Sequence, residues 1–132
     1  MENKSGLFLK RDISVTGVEF VPESIATTEE GYKVLLDKEV SLQLVIANEG
    51  NVEETEVLIL ILVTDEFGET VFEKRTKLNT IGPFESKSYY TEPLKIEKGI
   101  VYEWFILVEE TENEEDFEDN IYSVKAFIPP ED

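Results

Sequence analysis

Carboxylates are the chemistry this sequence offers most densely. They gather in residues 109–120, EETENEEDFEDN, where eight acidic side chains fall within eleven consecutive positions. Three uses follow from that density. A hard cation such as calcium takes about 6 to 8 oxygen ligands, and Glu112, Glu114, Asp116 and Asp119, together with nearby main-chain carbonyls, form the candidate set. A patch of one sign also speeds association with a basic partner. The simplest use is an inter-strand loop kept in water by its own charges, with Phe117 as its apolar anchor and Asn120 capping backbone groups through its amide. The segment has neither the glycine nor the DxDxDG spacing of an EF-hand. Its glutamates also lose more rotamer freedom around an ion than aspartates would, so calcium binding there is expected to be weak.

Other chemistries are closed by composition. The 132-residue chain has no cysteine and no histidine, which removes thiol catalysis, disulfides, thiolate metal sites and the usual general base. No GxSxG nucleophile motif occurs. Two carboxyl groups set about 5 to 9.5 Å apart across a cleft can hydrolyse glycosides, but 30 acidic residues create such pairs by chance, and a domain of this size leaves little room for a deep cleft. The chain is expected not to be an enzyme and to need no cofactor, calcium in the acidic segment excepted. A formal charge of −18 repels phosphate backbones and anionic headgroups, so the expected partner is a protein rather than nucleic acid or membrane. The start, MENKSGLFLKRD, lacks a signal-type apolar core, and nowhere does an apolar run reach the roughly 20 residues that span a bilayer.

These groups must be positioned by strands, because no window carries a convincing 3.6-residue apolar repeat. The first strand is expected over residues 12–20, bent near Gly17 and ended by Pro22. Residues 23–37 read as a long connection with at most one helical turn. In residues 39–48, Val40, Leu42, Leu44 and Ile46 alternate with Ser41 and Gln43, the mark of a half-buried strand. A turn at residues 48–51 follows, where Asn and Gly take positive φ at little cost. Strands at 54–64 and 71–78 flank a hairpin turn at 65–68. Another spans 86–91, and the last two, at 100–108 and 120–128, are joined by the acidic segment. About seven short strands with turns at regular spacing describe an all-β, immunoglobulin-like antiparallel β-sandwich, with a small barrel as the other possibility. The expected limits are a flexible tail over residues 1–11, the sandwich over 12–128 and a short tail over 129–132.

The run VLILILV at residues 57–63 breaks the alternation that a strand with one solvated face should show. Val57, Ile59, Ile61 and Val63 would fill the core, leaving Leu58, Leu60 and Leu62 on the opposite face. The expected cover for these leucines is the 23–37 connection, which offers Ile25, Tyr32, Val34, Leu35 and Leu36. The alternative is an exposed interface for a neighbouring domain or a homodimer. Trp104, in phase with Tyr102, Ile106 and Val108, is expected in the core, and Tyr89 and Tyr90 must face opposite ways.

Three short pieces resemble the CARDB family, the cell-adhesion-related domains found in bacteria. They are VIANEGN at residues 45–51, the small loop IGPFESKS at 81–88, and the acidic stretch ending in Asp119 and Asn120 before a final strand. The resemblance covers residues 12–128. It implies a noncatalytic, Ig-like structural or interaction module of a bacterial or archaeal surface or secreted protein, with no catalytic residues. Two alternatives stay open beside it: a calcium-binding adhesive domain using residues 109–120, and a subunit that self-assembles through an apolar strand face or a sheet edge.

Overall fold

The computed structural model describes residues 12–55, 57–109 and 121–130. Among these described residues ten strands follow in order: β1 (Ile13–Val21), β2 (Ala26–Thr27), β3 (Lys33–Val34), β4 (Glu39–Asn48), β5 (Val57–Asp65), β6 (Thr70–Leu78), β7 (Ser86–Tyr90), β8 (Leu94–Lys95), β9 (Tyr102–Glu109) and β10 (Ile121–Phe127). Seven of them have five residues or more and match the strands expected from alternation; β2, β3 and β8 are two-residue additions. No helix occurs among the described residues.

The strands form a two-layer β-sandwich. The smaller sheet has the order β1-β4-β7, with β8 also paired to β4, and the larger has the order β2-β3-β10-β9-β5-β6. Neighbours run antiparallel except β3 beside β10. Because side chains alternate across each strand, Phe20, Leu42, Leu44 and Ile46 of the smaller sheet meet Ile59, Ile61, Trp104 and Ile106 of the larger one, all buried. Fully burying one such aliphatic side chain contributes about 1.5–3 kcal/mol. Trp104 lies in this core as expected, edge-on to Phe20 with ring centroids 4.9 Å apart.

Local chemistry fixes the turns. Asp65 Oδ1 accepts hydrogen bonds from the N–H groups of Phe67 (2.9 Å) and Glu69 (3.0 Å), and Gly68 takes φ 85°. This is the hairpin expected between β5 and β6. The register of β1 against β4 shifts between Val15 and Gly17, so the bend expected at Gly17 is a β-bulge.

Two expectations are corrected. The 23–37 connection does not cover Leu58, Leu60 and Leu62 and contains no helical turn. Its β2 and β3 instead extend the larger sheet at the β10 edge, where the N–H of Leu35 donates to the carbonyl of Phe127 at 2.9 Å and the Leu35 side chain is buried. Main-chain groups of an open edge offer the connection partners that a finished leucine face cannot. The turn after β4 also works differently from the expected positive-φ turn, since none of residues 48–51 adopts positive φ. The Asn48 side chain is wholly buried and shapes the turn through its amide: Nδ2 donates to the carbonyls of Val52 (2.7 Å) and Ile81 (3.0 Å), and Oδ1 accepts from the Gly50 N–H (3.0 Å).

Candidate interaction surface

The β5 apolar run divides as its alternation requires. Val57, Ile59, Ile61 and Val63 point into the core and are fully or almost fully buried. Leu58, Leu60 and Leu62 point outward from the larger sheet, half-buried by their neighbours, with Leu58 36% exposed. Strand register extends this outer surface. Leu60 pairs with Leu107 and Leu62 with Phe105 across β5 and β9, and Leu107 pairs with Ile121 of β10. Ile121 is 48% exposed. Six apolar side chains from three adjacent strands therefore form one stripe on the outside of the sheet, beyond the three leucines foreseen.

Charges border the stripe. On β6, Glu73, Arg75 and Lys77 stand opposite Leu62, Leu60 and Leu58. On the other flank, Lys125 pairs with Glu103 at the β9–β10 ladder. The backbone of Glu109 is paired beside Leu58, so β9 ends and β10 begins at the same end of the stripe. The intervening residues 110–120 carry seven further carboxylates. The calcium candidates Glu112, Glu114, Asp116 and Asp119, with Phe117 and Asn120, lie outside the described residues. Among the described residues, no group of three acidic side chains is arranged to hold a metal ion.

The outer face of the smaller sheet is different in kind. The ladders place Gln43 opposite Tyr90, Val45 opposite Ser88 and Ala47 opposite Ser86. Tyr90 is exposed while Tyr89 packs against the core, the opposite orientations expected of adjacent strand residues. Beyond this sheet's end, the loop over residues 81–85 is held by Glu85, whose Oε1 accepts the Gly82 N–H at 2.6 Å and whose carbonyl accepts the Asn48 N–H at 2.8 Å. A Cβ on residue 82 would lie 2.6 Å from that carboxylate oxygen, so a larger residue there would displace the Glu85 side chain from this hydrogen bond.

Phe105, Leu107 and Ile121 escaped the sequence reading. A signal for two of them existed: WFILV at residues 104–108 fails to alternate just as VLILILV does. Ile121 needed the register between strands, which periodicity does not supply.

With the geometry established, comparison with solved structures gives the same fold. The CARDB domain of the PF1109 protein from Pyrococcus furiosus, solved in complex with di-metal ions, superposes with TM-score 0.61 at 16% identity, over 90% of this chain and 89% of that one. A solution structure of the same domain gives TM-score 0.63 at 16% identity, over 92% and 98% of the two chains. A β-glucuronidase of glycoside hydrolase family 2 also matches, with TM-score 0.52 at 10% identity. It covers 90% of this chain but only 11% of the enzyme, so what is shared is one sandwich domain. No family model matches the sequence, and no curated protein matches it either. The chain thus has the fold of a CARDB-type β-sandwich, in agreement with the resemblance read from its motifs. Among the described residues, no helix is long and apolar enough to cross a membrane.

Proposed function

We propose that this chain is a noncatalytic, adhesion-type interaction module of a prokaryotic surface or secreted protein. It docks on another protein through the outer face of its larger sheet. The observation that carries this reading is the stripe of Leu58, Leu60, Leu62, Phe105, Leu107 and Ile121, apolar across three strands and left uncovered by the chain's own connection. Contiguous apolar surface of this kind marks contact sites. The sandwich supplies a rigid support, and binding needs little ordering of its backbone.

The partner's chemistry follows from charge. A second copy would bring another −18 to the contact, whereas a partner of net positive charge with an apolar patch would be drawn in. A photo-crosslinking residue at position 60, compared with one at position 88 on the other sheet, tests this in cells that make the protein. A discrete adduct with a different protein is expected from position 60 and none from position 88. An adduct between copies would turn the reading to self-assembly, and no adduct at position 60 would remove it.

A calcium-dependent version has its own support in the carboxylate density of residues 109–120 and in a fold neighbour solved with di-metal ions. In that version Glu112, Glu114, Asp116 and Asp119 hold the ion.

A further inference from the structure

The two sheets differ in width. At one side the smaller sheet ends with β1, which among the described residues pairs with β4 alone, while the larger sheet continues through β10, β3 and β2. Phe20 of β1 packs on Trp104 of β9, so the inner surface of β10 runs on past the last strand that faces it. A recess of about 130 Å³ occupies the gap. Its floor is Val18 and Phe20 of β1 with Tyr122 and Val124 of β10, and its rim carries Glu19, Glu23 and Lys33. Lys33 already donates to Thr27 Oγ1 at 3.2 Å. A cavity on the order of 150 Å³ takes up a benzene-sized group, so this recess suits one or two aliphatic side chains.

An edge strand presents a row of main-chain donors and acceptors to any extended chain laid beside it. The bulge between Val15 and Gly17 disturbs the first half of β1 and leaves residues 18–21 as a regular edge, alongside the recess. We propose that this edge accepts an additional strand from a partner protein, an extended segment in which apolar and basic residues alternate. At a lateral spacing of about 4.8 Å the added strand lies over β10. Its inward side chains enter the recess over Tyr122 and Val124, which selects apolar residues. Its outward side chains stand beside Glu19, which β1 turns to solvent, and cross-strand pairing there selects lysine or arginine. Glu23 adds to the same preference. Addition of a second copy's β1 would set glutamate near glutamate and join two chains of −18. This site is separate from the apolar stripe, which lies on the opposite face of the larger sheet.

The test titrates three ten-residue peptides into the isotopically labelled chain: alternating Val and Lys, alternating Ser and Lys, and alternating Val and Glu. The expected result is that only the Val–Lys peptide shifts the amide resonances of residues 18–21 and 122–124. Its affinity should also fall about tenfold or more in the Glu19→Lys/Glu23→Lys variant. Both glutamates are exposed, and a melt at the wild-type midpoint shows that the variant is folded. Equal binding by the Ser–Lys peptide would reduce the effect to net charge and overturn the proposal. So would shifts confined to the Leu58 to Leu62 face, or no binding at millimolar peptide.

Discussion

The outward positions of β4 and β7 on the smaller sheet are Ser41, Gln43, Val45, Ala47, Ser86, Ser88 and Tyr90, while those of β5 and β9 on the larger sheet include Leu58, Leu60, Leu62, Phe105 and Leu107. The inward residues of β4, β5 and β9 are all buried, so the need for a core cannot explain the difference. A sheet that meets water on one side alternates apolar with polar residues, as β4 does from Val40 to Leu44. Strands β5 and β9 are apolar on both sides, which is the composition of strands covered twice. The contrast separates residues that hold the sandwich together from residues available to something outside it.

The largest expected effect tests that separation directly. Ile61→Ala should destabilise the chain by about 2–5 kcal/mol, because it leaves a cavity in a packed interior. The adjacent outward change Leu60→Ala should cost less than about 1 kcal/mol, since half-exposed groups lose little transfer energy. Urea titrations of the two variants measure both. Equal losses would make Leu60 part of the core and erase the contrast between the faces.

Asn48→Ala should come next, at about 2–3 kcal/mol, because two carbonyls and one N–H lose a buried partner together. It would show that the end of the smaller sheet depends on one polar clasp where the larger sheet depends on apolar contact. A loss below 1 kcal/mol would mean that water replaces the amide.

Calcium bears on the comparison by offsetting the carboxylates of the connection that joins β9 to β10. Melts in EDTA, calcium and magnesium read this out. Calcium at about ten times its dissociation constant would add about 1.4 kcal/mol, a rise of roughly 3–5 °C that magnesium does not reproduce. Coincident curves would leave residues 109–120 as a solvated connection. The smallest effect is expected on the smaller sheet, where Ser88→Asp should change stability by no more than about 0.5 kcal/mol and leave crosslinking from position 60 intact. Loss of that crosslinking would show that both faces serve one contact.

The long strands were legible because alternation survives wherever one face is wet, as in Val40, Leu42, Leu44 and Ile46. The two-residue strands β2, β3 and β8 were not, since two residues define no period. The destination of the 23–37 connection was misread for a related reason. Its apolar residues were visible, but the choice between the leucine face and the β10 edge rests on main-chain partners that no side-chain pattern encodes. The apolar stripe was half legible: the broken alternation of β5 announced Leu58, Leu60 and Leu62, whereas its continuation onto β9 and β10 is a property of register. The recess beside β1 had no sequence signal, because it arises from the unequal widths of two sheets.

The hairpin that brings Ile121 to Leu107 also bears on how quickly the molecule forms. Strands β5 and β6 are joined through residues 66–69, a connection of four, while β9 and β10 meet only after residues 110–120, a connection of eleven. Chain entropy alone makes the longer closure costlier by about 1 kcal/mol. Seven carboxylates in that stretch repel one another until salt shortens their reach, to a Debye length of about 10 Å at 0.1 M. Refolding should therefore quicken as ionic strength rises, with the β5–β6 hairpin formed early and the β9–β10 pair setting the pace.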